Sequence, residues 1–157
     1  MNASGDIRIA TEKDLPEVLE IERLSFPHPW GHHYLKAALQ DLFIIFKKET
    51  VMGFLIAVCY QKRLRANIMK VAVHPHHRGK GIARKMLQEA LQILQHKGIK
   101  EVELDAKMLE VSVVNFYEKL GFRVKRLISP DSELEDYHFF SMCRSLTDDN
   151  NFSSDMS

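Results

Sequence analysis

Residues 68–98, "IMKVAVHPHHRGKGIARKMLQEALQILQHKG", constrain the fold more than any other segment of the chain. An apolar run is stopped at Pro75, which cannot donate to a strand ladder. Gly79 and Gly81 then mark a turn. Helical spacing follows from about Gly81 to His96: Ile82, Met86, Ala90 and Leu94 lie at steps of four, and Ala83, Leu87 and Leu91 form the adjacent row. Gly98 closes the helix as a C-cap, and "EVELDAK" reads as a further strand. The segment is thus a strand, a basic glycine turn, an amphipathic helix and another strand.

The flanking sequence supplies the other elements. Ile7 and Ile9 alternate with polar neighbours in a short strand, and Thr11 with Asp14 three residues on is a variant of the capping box. Leu15, Val18, Leu19 and Ile21 give the first helix its apolar face, and Pro27 and Pro29 break it. A second short helix covers His33 to Gln40. "LFIIFKKE" and "MGFLIAVCYQ" form a hairpin around Thr50, and "RANIMKVAVH" is the next strand; the last two runs are apolar enough to be buried on both faces. "SVVNFYEKL" is a helix ended by Gly121, and "FRVKRLI" and "YHFFSMCRSL" flank the polar loop "SPDSELED". Helices interleaved with hairpins predict a three-layer α/β/α domain on a mixed, mostly antiparallel sheet. One domain over residues 1–146 is expected, with a polar tail over 147–157 that frays.

The totals narrow the function classes. A net charge of +1 gives no bulk attraction to nucleic acid or membrane, so any basic role is local. No apolar run approaches a membrane span, and "MNASGDIRIA" lacks a signal-peptide core. Cys59 and Cys143, far apart in apolar runs, read as buried thiols of a reducing compartment, which points to the cytoplasm. His74, His76 and His77 invite a metal reading, but no Cys or carboxylate set completes it, and they read as surface residues.

A strand leading through glycines into a helix presents unpaired backbone N–H groups, and the helix dipole adds positive potential there. Arg78, Lys80, Arg84 and Lys85 add charge, so a pyrophosphate is the natural guest. The spacing fits neither a dinucleotide fingerprint, because Arg84 takes the third glycine's place, nor a P-loop. From spacing alone a solvated basic turn fits equally well.

"VAVHPHHRGKGIARKML" closely resembles the acetyl-CoA loop of the GNAT superfamily of N-acetyltransferases, R/Q-x-x-G-x-G/A, with Arg78, Gly81 and Ala83 in the pattern. "IRIATEKDLPEVLEIERLSF" resembles that family's opening strand and helix, and "NFYEKLGF" its later helix-to-strand exit. Within the superfamily, "IERLSFPHPW" and the layout of the elements after it resemble the RimI-type ribosomal-protein alanine N-acetyltransferases. The resemblance implies a splay between the fourth and fifth strands that receives acetyl-CoA. It implies that Val71, Ala72 and Val73 pair with the pantetheine arm. The backbone of Arg78, Gly79, Lys80, Gly81, Ile82 and Ala83 would wrap the pyrophosphate, with the Arg84 side chain nearby.

It further implies roles for groups near the splay. Tyr117 matches an acid that protonates the coenzyme A thiolate. Asp105 stands where the RimI type has a glutamate base; one methylene shorter, it favours proton removal through a water, and Glu103 is the reserve base. Phe26, Pro29 and Trp30 lie in the loop that borders the acceptor site; Glu22 on the first helix could meet a substrate ammonium, but a solvated helix face is the plainer reading. Two departures stand out: Glu110 replaces a frequent asparagine, and "RLISPDSELED" lacks the usual tyrosines, leaving Tyr137 as the nearest substrate-side aromatic. The implied acceptor is a peptide or protein N-terminus, a ribosomal protein among the candidates, with no direct nucleic-acid or membrane partner, for a monomer or homodimer. Competing readings are a small-molecule or lysine acetyltransferase, a non-catalytic acyl-CoA-binding module, and a nucleic-acid module built on "RGKGIARK".

Overall fold

The computed structural model describes residues 4–107, 111–128 and 139–147. The elements are β1 (Asp6–Ile9), α1 (Leu15–Ser25), α2 (His32–Ala38), β2 (Leu42–Lys47), β3 (Val51–Tyr60), β4 (Arg65–Val73), α3 (Ile82–His96), β5 (Glu101–Lys107), α4 (Val111–Lys119), β6 (Arg123–Ile128) and β7 (Phe139–Ser145). Seven strands form one sheet in the order β1-β2-β3-β4-β5-β7-β6. Every neighbouring pair is antiparallel except β4 and β5.

Two apolar clusters sandwich the sheet. One joins α1 and α2 to Phe43, Ile45, Phe54, Ile56 and Ala72; the other joins α3 and Val114 of α4 to Leu55, Ile68, Val102, Leu104 and Ala106. Because side chains alternate along a strand, Glu101, Glu103 and Asp105 lie on the α1 face of β5. Gly53 of β3 lets α3 come close: a Cβ there would meet the Ala72 carbonyl oxygen at 3.0 Å and Ile82 Cγ2 at 3.2 Å.

The opening of α1 is tighter than the sequence suggests. A 3₁₀ turn covers Glu12–Asp14, and the α-helix begins only at Leu15. Pro16 explains the shift, because it suits the first helical turn and not the interior. The Thr11 backbone N–H donates to Asp14 Oδ2 at 2.9 Å, and Lys47 Nζ lies 3.3 Å from Asp14 Oδ1.

β4 is not buried on both faces, as its apolar run predicts. Ala66, Ile68 and Ala72 are buried, while Met69 is 47% exposed. The cause is a bulge: Ile68 pairs with Ala57 and Lys70 with Ile56, which leaves Met69 as the extra residue. A bulge bends its strand and raises the local twist. β4 and β5 accordingly pair only through Arg65–Glu101, Ala66–Val102 and Asn67–Glu103, and then diverge. That is the splay between the fourth and fifth strands. Cys143 is buried, but Cys59 is only half-buried, near the end of β3; both are free thiols.

Candidate functional site

Beyond Asn67, β4 has no strand partner on the edge that faces β5 among the described residues. Its backbone N–H and C=O groups there are free to pair with a guest. A cleft of about 520 Å³ opens beside this edge, lined by Val71–Val73, Arg78, Gly79 and Gly81–Arg84. Ser25 and Phe26 at the end of α1, His77, and Val113 and Phe116 of α4 complete it. Nine of the ten positions predicted for cofactor contact therefore line one cavity. Lys80 is the exception and is exposed.

The turn has the geometry that an anion requires. Gly79 and Gly81 both adopt left-handed φ, +77° and +81°, and Gly81 is the N-cap of the 15-residue α3. The first N–H groups of α3 therefore have no partner inside the helix. No side chain caps them, which leaves them for a bound anion. The Arg78 side chain is not a free cation waiting for a phosphate. Its Nε donates to the Val73 carbonyl at 2.9 Å and its Nη2 to Ser25 Oγ at 3.2 Å, tying the turn to β4 and α1.

The histidines differ from a uniform surface cluster. His76 is exposed and its backbone N–H donates to His74 Nδ1 at 3.1 Å. His77 lines the cleft, and its Nδ1 is buried without a hydrogen-bond partner among the described residues. Burial, then the charges of Lys80, His74 and His76, hold its pKa below the ordinary value. A neutral ring with an orphaned nitrogen in the cleft wall suits a polar guest. Nothing in the local sequence separates His77 from its neighbours. Val113 and Phe116, by contrast, were discoverable as an i, i+3 pair on one helix face.

Two of the proposed chemical groups, Glu103 and Asp105, lie on β5 at the fork. Asp105, two residues past the last paired rung, is exposed on the α1 side of β5. Partial burial and the Glu103 charge push its pKa up, opposed by Arg126. Glu103 is engaged differently: Lys125 Nζ lies 2.8 Å from Oε1, and Arg65 also pairs with it. The Lys125 hydrogen bond and the cationic neighbours hold its carboxyl below the usual range, although burial acts against them. Tyr117 does not line the cleft. Its ring packs edge-on against Phe116 (5.3 Å between centroids) and Phe122 (5.8 Å), and burial pushes the phenol up to about 12.

The acceptor-side residues bring one surprise. Glu22 is no solvated helix residue; it is fully buried. Its Oε1 lies 2.6 Å from Lys70 Nζ, and its Oε2 accepts the Trp30 backbone N–H at 2.5 Å. Trp30 stacks on Lys70 and does not line the cleft, whereas Phe26 does both. Tyr137 and Glu110 lie outside the described residues.

A sheet forked at its parallel β4–β5 pair, with a glycine turn opening a helix beside the fork, has the architecture that the resemblance implied for an acyl-CoA-binding α/β domain. The acetyltransferase (GNAT) family model matches residues 15–122, and the chain belongs to that family, whose cofactor is acetyl-CoA. The chain is 33% identical over 106 residues to N-alpha-acetyltransferase 30 of Schizosaccharomyces pombe, a match covering 65% of each. The chain thus spans just under two thirds of that relative's length. It is 23% identical over 111 residues to the ribosomal protein bS18-alanine N-acetyltransferase of Escherichia coli, covering 69% of this chain and 74% of the relative. The fold of the Escherichia coli ribosomal-protein-S18-alanine N-acetyltransferase superposes with a TM-score of 0.81 at 19% identity, over 91% of this chain and 94% of that one.

Proposed function

We propose that the chain transfers the acetyl group of acetyl-CoA to a primary amine, and that this amine is the α-amine of a protein N-terminus. The observation that carries the reading is the two-sided fork. The cleft with the glycine turn opens along β4 among α3, α4 and the end of α1, while Asp105 stands on the α1 face of β5 beside it. Cofactor and acceptor can thus approach from opposite sides and meet where the strands part. The N-terminal acetyltransferase names of its relatives support the choice of acceptor.

Bound acetyl-CoA supplies an activated thioester. The free edge of β4 at Val71–Val73 holds its extended arm, the backbone of residues 78–83 its pyrophosphate, and His77 offers a further polar contact. Asp105 takes the amine proton, through a water because the side chain is short. Its raised pKa makes it a better base than an ordinary carboxylate. Glu103, already committed to Lys125 and Arg65, braces the fork instead. Tyr117 keeps its proton across the physiological range. A phenol near 12 gives up that proton reluctantly to a thiolate whose pKa is about 8.5, so from outside the cleft lining Tyr117 would act only as a hydrogen-bond donor brought to the sulfur as the thiolate departs.

The chemistry also favours an α-amine. At pH 7 about a tenth of an α-amine is free base, against less than about a thousandth of a lysine amine. A carboxylate is a weak base, so the more easily deprotonated acceptor suits it. The test is acetyl transfer from acetyl-CoA to a panel of N-terminal peptides beside polyamines and aminoglycosides. Peptide acetylation is expected; transfer to the small amines alone would refute the acceptor assignment.

A further inference from the structure

Lys70 follows the Met69 bulge on β4 and points to the α1 face, the face that carries Asp105 on β5. Its ammonium is enclosed. Nζ sits 4.1 Å from the Phe26 ring centroid, 4.5 Å from the Trp30 ring and 2.6 Å from Glu22 Oε1, with the Lys70 side chain only 9% exposed and Glu22 not exposed at all. Two aromatic faces and a carboxylate around one cation are the groups with which proteins recognise a ligand ammonium. Here the guest comes from the chain itself. Glu22 is fixed independently of Lys70, because its second oxygen holds the Trp30 N–H. Phe26 is shared between this cage and the cleft.

We propose that Lys70 is the resident occupant of an ammonium cage formed by Glu22, Phe26 and Trp30, and that by filling it the chain excludes acceptors with a cationic side chain beside the reacting amine. The specificity half of this proposal rests on the acceptor entering from the α1 face. An unfilled Glu22 would draw lysine-bearing peptides and polyamines to the fork. With Lys70 in place the carboxylate is neutralised in advance, and a second cation would meet like charge.

The cage itself is tested without any acetyl transfer. Lys70→Ala removes the atoms of n-propylammonium. Added n-propylammonium chloride, compared with sodium chloride at equal ionic strength, is expected to raise the melting temperature of Lys70→Ala by roughly 3 °C at ten times its dissociation constant. The parent and the Glu22→Gln/Lys70→Ala double variant are expected to stay unmoved. Equal shifts in all three proteins would overturn the cage. The specificity half is tested with Lys70→Met, which keeps the volume and so remains usable if the alanine variant does not fold. Its preference for a serine-first over a lysine-first peptide should shrink at least about tenfold relative to the parent, since an unpartnered buried carboxylate recruits the cation. An unchanged preference would overturn that half, whereas failure to acetylate any peptide would strike the acceptor assignment and leave the melting result standing.

Discussion

Replacing Gly81 by valine tests whether the cofactor is gripped by backbone or by basic side chains. Gly81 sits at φ +81°, ψ 12°, directly before α3. An L-residue held there pays about 1–2 kcal/mol, and a β-branched one more. The loop either keeps that strain or relaxes to negative φ, which swings the adjoining peptide planes and turns N–H groups away from the anion. Losing one charge-assisted hydrogen bond costs about 1.5–3 kcal/mol. A loop that keeps the strain carries it both free and bound and loses stability rather than affinity; the relaxed loop weakens coenzyme A binding by about 10- to 100-fold at 1.4 kcal/mol per decade. Lys80 is exposed and outside the cleft lining, so Lys80→Ala should cost less than about 1 kcal/mol, under fivefold. Gly79→Ala is a useful intermediate. A Cβ there meets nothing within 4 Å, so only its φ of +77° resists the change. Titration calorimetry with coenzyme A measures all three, with circular dichroism confirming the fold. Equal affinities for Gly81→Val and Lys80→Ala would refute the backbone argument.

The same geometry sets three further outcomes. The acid limb of kcat/KM should lie above that of an unperturbed aspartate because the Asp105 pKa is raised, and Asp105→Asn should abolish that contribution and lower the rate about 100-fold or more; a pH–rate profile checks both. Tyr117→Phe should lower kcat about tenfold or more while leaving coenzyme A affinity within about twofold, since Tyr117 is outside the cleft; steady-state kinetics with calorimetry separate the two. For Asp14, burial alone would raise the pKa, but the Thr11 N–H and Lys47 outweigh it and the net direction is down. A folded pKa below the unfolded one adds stability above the unfolded value, lost as pH falls through the folded one. Asp14→Asn should therefore cost about 1 kcal/mol near neutral pH, a melting shift of roughly 2–4 °C, and nearly nothing in acid.

Periodicity and punctuation made most of the fold legible. Pro75, Gly81 and Gly98 bound a strand and a helix whose limits agree with the structure to within a residue or two. The glycine turn was legible from its spacing, whereas its reading as a cofactor loop came from the family resemblance, since spacing alone fitted a solvated basic turn equally well. What escaped the sequence depends on register between distant segments. The Met69 bulge that opens the fork arises from a mismatch between β3 and β4 that no local pattern encodes. Glu22 and Lys70 are 48 residues apart, and nothing local to either marks them as a pair. The different fates of Glu103 and Asp105, two residues apart on one strand face, are decided by Arg65 and Lys125 arriving from β4 and β6.

The most direct measurement of the central claim is an internal competition. A peptide bearing a free α-amine and one internal lysine is incubated with the protein and acetyl-CoA, and the acetyl group is placed by fragmentation mass spectrometry. A fork that pairs a carboxylate base with an acceptor entering beside Asp105 predicts the acetyl group on the α-amine. An acetyl group on the lysine side chain, with the α-amine left free, would contradict it.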